Sequence, residues 1–345
     1  MIDSWYVGDI AEITETFSVA PTSVSFNYFV TNLKGDIIVP ITGAQINPIT
    51  GGASFFVDIN LDYSGVYYWR WASTGTGKAA SEGSFIVEET QFADPVLDYD
   101  RLVLADFPVL YMPMSGIGTQ LDLAPANHVG TYHNGQTFST MPNGDTVTVF
   151  DGATQYLEIP DANDLSPATA GVLTFEAWIR PDVDNFPNFQ STGYVHWMGK
   201  GVTNQHEWVA RRYNLYTTDV PPRPHRTSGY AFNLAGGTGV GAFFQDSYSP
   251  PGEWIHYACT INTVNVSGPY PTGYTTIFKN GVQRNTQSLS SGGIVPQNGT
   301  APMRVGTRDF ASYFQGAIGK VAVYNYELTP AQLLAHYNQM VTGRH

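Results

Sequence analysis

At 345 residues the chain has room for about two domains with full cores, and an apolar content of 42% is that of a globular protein. Only 13% of residues are charged and the formal net charge is −13, a sign that repels phosphate backbones and anionic lipid and argues against nucleic acid or a membrane as partners. A single cysteine, Cys259, rules out an internal disulfide, and no stretch nears the ~18 apolar residues that cross a bilayer.

Met1-Ile2-Asp3-Ser4-Trp5 has neither the basic nor the apolar region of a signal peptide, so synthesis and folding in a cytoplasm are expected. Residues 1–90 then predict six short strands: Ala11–Phe17, Ser23–Val30, Ile37–Ile41, Ser54–Asn60, Gly65–Trp71 and Gly83–Glu88. The turn signals between them are Asn32-Leu33-Lys34-Gly35-Asp36, Asn47-Pro48, Thr50-Gly51-Gly52 and Ser73-Thr74-Gly75-Thr76-Gly77. Many short strands in so few residues predict an immunoglobulin-like sandwich, here without the cysteine pair of antibody domains. Asp62-Tyr63-Ser64-Gly65-Val66-Tyr67 fits a tyrosine corner, in which a Tyr hydroxyl bonds to backbone close by. The run from Gly65 to Gly75 and the run Glu82-Gly83-Ser84-Phe85-Ile86-Val87, with Val7-Gly8-Asp9, resemble a small β domain common in virion proteins of tailed bacteriophages that infect actinobacteria. That resemblance covers the greater part of residues 1–90 and implies a place in a phage particle.

Residues 91–108 predict a linker with a short helix. The stretch from Glu89 to Asp100 is acidic, and Val96 to Leu104 offers about two helical turns with Leu97, Arg101 and Leu104 at helical spacing. Pro108 ends it, and a stiff hinge is expected.

Residues 109–345 predict a second all-β domain. The ordered runs are Phe150-Asp151-Gly152, Tyr156-Leu157-Glu158-Ile159-Pro160, Leu173-Thr174-Phe175-Glu176-Ala177-Trp178-Ile179, Gly252-Glu253-Trp254-Ile255-His256-Tyr257, Phe278-Lys279-Asn280-Gly281-Val282 and Phe314-Gln315-Gly316-Ala317-Ile318-Gly319-Lys320-Val321. They alternate apolar with polar residues and are bounded by Gly, Asn, Asp or Pro, the pattern of antiparallel strands with one buried face. Leu110-Tyr111-Met112-Pro113-Met114 opens the set. Tyr324 to Tyr337 closes it with a strand and then a helix capped by Thr329, with Pro330 at its first position and Leu333, Leu334 and Tyr337 as its apolar face. In this order the motifs resemble the concanavalin A-like lectins in their laminin-G-like jelly-roll form, over residues 109–340. The resemblance implies a jelly roll of a kind that usually binds and seldom catalyses. Trp178 and Trp254, in motif strands, are expected in the core.

Catalytic signals are lacking. Glucanases of related fold need two carboxylates about 5–5.5 Å apart when retaining, supplied by a Glu-x-Asp-x-x-Glu strand, and that spacing does not occur. Neither a zincin helix around His206-Glu207 nor a nucleophile elbow or phosphate loop is present. No catalytic, cofactor or metal residue is therefore assigned. Many laminin-G-like modules hold calcium through acidic loop residues, and a large subset has an acidic pair in the last motif where this chain has Gly319 and Lys320, which argues against calcium binding of the family type. Asp122, Asp151 and Asp161 are oxygen-bearing candidates better read as turn caps.

Binding remains. Residues 182–230 predict a long irregular insert, with Val220-Pro221-Pro222-Arg223-Pro224-His225-Arg226 near its end. Sugars are held by flat aromatic faces and polar side chains, so Trp197, Trp208, Arg211, Arg212, Tyr213, Tyr216 and Tyr230 are the candidate ligand or interface contacts, the two arginines suiting acidic sugar groups. The expectation is a non-enzymatic bacteriophage virion protein, a minor tail or decoration protein whose lectin-like domain meets host-surface glycan. Its partners would be tail or capsid proteins and further copies of itself. Two alternatives stay open: a purely structural virion protein whose jelly roll makes protein contacts, and a bacterial carbohydrate-binding accessory module.

Overall fold

A computed structural model describes residues 5–6, 9–32, 35–49, 53–75, 79–88, 98–246 and 250–342. The expectations for Val7-Gly8, for the turns at Leu33-Lys34, Thr50–Gly52 and Thr76–Gly77, and for the acidic stretch 89–97 with Leu97 of the predicted helix lie outside those residues. The fold is all-β, divided between the units Met1–Pro95 and Val96–His345.

In the first unit, one sheet runs in the order Trp5–Tyr6, Ala80–Glu88, Gly65–Thr74, Ser23–Thr31, Ile37–Gly43; the other runs Ile10–Thr16, Ser54–Asn60, Asn47–Pro48. Period-two alternation sends Ala11, Ile13, Phe26, Val30, Val57, Ile59, Tyr67 and Trp71 into a core shared by both sheets. This strand order, with Trp5–Tyr6 parallel to Ala80–Glu88, is that of an immunoglobulin-like sandwich. Tyr67, near the start of its strand, accepts a hydrogen bond on its hydroxyl from the Tyr63 backbone N–H at 3.2 Å, closing the expected tyrosine corner. Gly65 begins that strand at φ 142°, where a Cβ would lie 2.1 Å from the Thr31 carbonyl oxygen, so only glycine fits.

The second unit stacks two large antiparallel sheets over one core. The first has the order Thr119–Leu121, Val129–His133, Tyr156–Ile159, Met303–Val305, Tyr194–Val202, Gln205–Tyr213, Thr227–Phe232, Gly239–Phe244. The second has the order Thr137–Thr140, Thr146–Asp151, Gln315–Tyr324, Val172–Pro181, Ile255–Asn262, Tyr274–Lys279, Val282–Ser288, with Leu110–Met112 also pairing to Gln315–Tyr324. Phe175 on one sheet stacks on Trp208 of the other at 4.3 Å, and Trp197 meets Tyr257 edge-on at 5.0 Å. Trp178 is core, as expected. Trp254 reaches only the edge of that core: it precedes its strand, is half-buried against the cluster, and lies under the Arg180 guanidinium at 5.4 Å.

Three expectations change here. The long insert is not irregular throughout, because Tyr194–Val202 and Gln205–Tyr213 form a hairpin in the middle of a sheet. Its period is broken by register shifts between His196 and Met198 and between Lys200 and Gly201. The predicted hinge helix is Asp98–Ala105, and it belongs to the second unit, with Tyr99 and Val103 in that core. The closing helix Pro330–Thr342 does start at a Thr329–Gln332 capping pair, but it buries Leu333, His336 and Met340 while Leu334 is 42% exposed.

Both helices are held by charges that the sheet buries. Lys320, at φ 54° in an irregular stretch of its strand, is sealed from solvent and pairs with Asp100 Oδ1 at 2.6 Å and Asp145 Oδ2 at 2.7 Å. Tyr111 donates its hydroxyl proton to the same Asp100 oxygen. Glu176, also fully buried, accepts from the Tyr324 hydroxyl at 2.6 Å and from His256 Nε2 at 2.9 Å. His336 of the closing helix sets Nδ1 at 3.0 Å from Glu176 and Nε2 at 3.0 Å from Asp106. Burial opposes ionisation of both Glu176 and His336, but each outweighs that cost for the other: the carboxyl is held well below 4.5 and the imidazole above 6.5.

Three outcomes follow from these contacts. Asp100→Ala removes one partner of a buried cation and is expected to cost about 3–5 kcal/mol in chemical denaturation; for the same reason a fragment beginning at residue 96 should melt cooperatively and one beginning at 109 should not. Trp208→Ala, an aromatic lost from the shared core, should likewise cost about 3–5 kcal/mol. The His336 contribution is complete below pH 6.5 and is lost as pH rises through its elevated folded value. The stability gap between the parent and His336→Gln, followed by thermal melts across pH, should therefore be widest in mild acid and narrow toward alkali.

Candidate functional site

Alternation along the central hairpin divides its residues between two faces. Trp208 and Ala210 point into the core, so Val209, Arg211 and Tyr213 point out of it. On the flanking strands Tyr194 and His196 share that outer face from one side, and Tyr230 and Phe232 from the other. Arg211 sits opposite His196 on one neighbour and Ser228 on the other. Tyr194 and Tyr230 are its diagonal neighbours, displaced in opposite directions along the strand, and both rings reach it. The Arg211 guanidinium carbon lies 4.0 Å from the Tyr194 ring centroid and 4.3 Å from that of Tyr230.

The edges of that guanidinium are set by polar contacts. Nε donates to His196 Nε2 at 3.1 Å, and Nη1 points to the Tyr213 hydroxyl at 3.4 Å. The same hydroxyl accepts from Arg223 Nη1 at 3.1 Å. Burial, then the charges of Arg211 and Arg308, hold the His196 imidazole well below its usual value, so it is neutral and accepts the Arg211 proton. Its Nδ1 is 3.0 Å from the Gln190 side-chain amide, and its backbone N–H donates to Ser312 Oγ at 3.0 Å. The loop carrying Ser312 also lays Arg308 over Phe232 at 5.4 Å.

Charge pairing sets Arg211 apart from its neighbours. Arg223 pairs with Asp219, Arg304 with Glu158 and Arg308 with Asp309. Arg211 is only 8% exposed, yet among the described residues it meets no carboxylate. A cation so far removed from water is costly without a counter-charge. Two tyrosine faces compensate part of that cost and leave the end of the guanidinium with unused donors.

The seven residues predicted from sequence separate on this map. Arg211, Tyr213 and Tyr230 come together, Tyr230 half-buried and Tyr213 as a covered positioning ring. Trp197 and Trp208 are corrected: both are fully buried, and the Trp208 Nε1 is spent on the Leu165 carbonyl at 2.9 Å, so neither reaches a ligand. Arg212 is corrected as well. It is 2% exposed and donates to the His225 carbonyl at 3.2 Å and Thr227 Oγ1 at 2.9 Å, with burial pushing its guanidinium down to about 10. Tyr216 is 77% exposed, and no contact among the described residues joins it to Arg211. Tyr194, His196, Gln190 and Arg223 were missed; the period-two spacing of Tyr194 and His196 was the available signal, hidden by reading the hairpin as a loop.

Other chemistry is occupied or sealed. Asp122 caps the Tyr111, Ala124 and His128 N–H groups at 2.7, 2.8 and 3.0 Å, and Asp151 caps those of Ala153, Thr154 and Gln155. Asp161 instead pairs with Lys200 at 2.7 Å, and Lys200 also holds Glu207. No group of three His, Cys, Asp or Glu side chains converges among the described residues. At the position of the acidic pair common in laminin-G-like modules, the Lys320 ammonium lies between two carboxylates, an arrangement that does not suit a divalent cation. Cys259 is fully buried; burial pushes its thiol up, and a side chain at Gly229 would come within 2.3 Å of its sulfur.

Comparison with known proteins agrees with this architecture. Residues 151–334 match the family model described as the concanavalin A-like lectin/glucanases superfamily. No curated protein matches the chain. Among solved structures, the binding domain of botulinum neurotoxin DC in complex with SialylT aligns with a TM-score of 0.51 at 13% identity, over 68% of this chain and 52% of that one. The receptor-binding domain of the C/D mosaic serotype aligns with a TM-score of 0.52 at 11% identity, over 69% and 52%. That of serotype D aligns with a TM-score of 0.52 at 11% identity, over 70% and 53%. This chain thus spans about half the length of the structures it matches, and at such identities the likeness is one of fold. The family match covers more than half of the chain, on the same two-sheet jelly roll, and the protein belongs to the concanavalin A-like lectin/glucanase superfamily.

Proposed function

We propose that the chain is a non-enzymatic protein of a tailed-bacteriophage particle, a minor tail or decoration protein, made in the host cytoplasm and carried in the virion. Its lectin-type second unit binds host-surface glycan through the outer face around Arg211. The observation that carries the binding half is that guanidinium, set against Tyr194 and Tyr230 and meeting no carboxylate among the described residues. Flat rings beside unused donors are what a sugar needs, one for its apolar face and the other for its oxygens.

The two fully buried glutamates do not offer a hydrolytic pair. Glu176 is taken up by two histidines and a tyrosine, and Glu207 by Lys200, so neither meets solvent. The first unit supports the particle-bound half. Its five-stranded sheet leaves Ile41 exposed beside the stacked Phe29–Tyr68 pair, at a groove of 630 Å³ lined also by Trp69, Arg70 and Glu82. An apolar face of this kind marks a protein contact, and we assign it to a neighbouring virion protein.

Two measurements test the reading with the full-length chain. Gold-labelled antibody against the protein is expected to decorate the tail or the capsid in electron micrographs of intact particles; uniformly unlabelled particles would remove the virion assignment. A glycan array is expected to show discrete binding that Tyr230→Ala weakens. Labelled particles with a silent array would leave the purely structural alternative in its place.

A further inference from the structure

Building on the glycan reading above, we propose that the Arg211 site recognises a carboxylate, so that the ligand is a sugar bearing a single acidic group, a uronic or nonulosonic acid within an otherwise neutral glycan.

Three observations on this face lead there. The first is that no carboxylate among the described residues meets Arg211. The neighbouring arginines Arg223, Arg304 and Arg308 each have an acid, whereas Arg211 has two aromatic faces, a neutral imidazole and a phenol. Its surroundings stabilise the cation and leave its negative partner to come from outside.

The second observation is the direction of the unused donors. Nε is taken by His196, so the side-on fork of the guanidinium is closed. Nη2 has no partner among the described residues and Nη1 has only the long 3.4 Å contact to the Tyr213 hydroxyl, which leaves the end-on fork, a pair of parallel donors that matches the two oxygens of a carboxylate. His196 cannot compete for the anion as a second cation, because burial and the nearby arginines keep it neutral. It serves as a positioning residue: its ring orients the fork, Gln190 holds the ring, and Ser312 holds the His196 backbone N–H.

The third observation is the aromatic setting. Ring centroids at 4.0 and 4.3 Å hold two tyrosine faces against the guanidinium. A carboxylate lies flat in the plane of the fork. A phosphate or sulfate is tetrahedral and drives oxygens out of that plane toward the ring faces, whose quadrupoles are negative. The overall charge points the same way. A chain of net charge −13 repels a long polyanion, while one acid on a neutral glycan is admitted at a local cation.

The test uses the full-length protein and matched probes in titration calorimetry. Sialyllactose is compared with lactose, and galacturonic acid trimer with its methyl ester; mannose 6-phosphate supplies the phosphate arm. At least one carboxylated probe is expected to bind about tenfold to a hundredfold more tightly than its neutral partner, the difference that a charged hydrogen bond makes. Added salt should narrow that difference. Arg211→Lys keeps the charge without the fork and should abolish most of the preference. Arg211→Gln should remove it entirely, with thermal melts reporting whether each variant is folded. Should either fold poorly, Tyr230→Leu removes one of the two rings at a half-exposed position and should weaken the carboxylated probe selectively. Equal affinity for acid and neutral partners, or an acid preference untouched by these variants, overturns the inference while leaving a glycan-binding domain standing. Binding of the phosphate probe alone overturns the choice of carboxylate. Probes and array that are all silent overturn this inference together with the glycan reading on which it rests.

Discussion

Two adjacent strands in the middle of one sheet carry opposite charges that water cannot reach, and much of the second unit is arranged around neutralising them. Glu176 and Lys320 lie on Val172–Pro181 and Gln315–Tyr324, which pair along most of their length. Neither charge is satisfied by the other. Lys320 takes Asp100 from the helix before the jelly roll, and Glu176 takes His336 from the helix after it. Leaving a buried charge unpaired costs several kcal/mol, so the helices are required parts of the fold rather than appendages. The irregular pairing near Lys320 belongs to the same arrangement, since a strand that bulges re-aims one side chain while its neighbours stay in register.

This constraint also explains which parts of the chain were legible in its sequence. The first unit was readable almost strand by strand, because Ile10–Thr16, Ser54–Asn60 and Gly65–Thr74 each keep a dry face and a wet face. The motif strands of the second unit were readable from their aromatic and β-branched runs. The hairpin from Tyr194 to Tyr213 was not, for two physical reasons. Its side chains are mostly buried on both faces, so polarity does not report exposure: Lys200, Glu207 and Arg212 are buried through ion pairs and hydrogen bonds that no single-residue property reveals. Its bulges at Trp197 and near Gly201 also break the period of two by which strands are recognised. The Pro-rich stretch around Pro221 was rightly read as loop, and that reading was extended too far upstream. Arg211, Tyr213 and Tyr230 were named from residue type alone. What joins them is cross-strand register, which sequence spacing does not carry.

On the outer face, the treatment of buried charge is reversed. Around Glu176 and Lys320 the chain supplies every counter-charge from its own residues. Around Arg211 it supplies aromatic rings, a neutral histidine and a loop that fixes them and, among the described residues, no acid. Lys200, Lys320, Arg304 and Arg308 each meet an acid, and the contrast with Arg211 is informative. The sheet beneath, with Trp208 stacked on Phe175, fixes the strands that carry these side chains.

The sealed position of Cys259 has a practical side. The chain's only thiol is closed off between strands, against the bare backbone of Gly229, and its proton is held tightly. Reagents that modify surface thiols therefore meet none on the folded protein. A cysteine introduced at an exposed position such as Tyr216 would be the sole reactive one, and a fluorophore or spin label there would give a single, unambiguous signal from each copy.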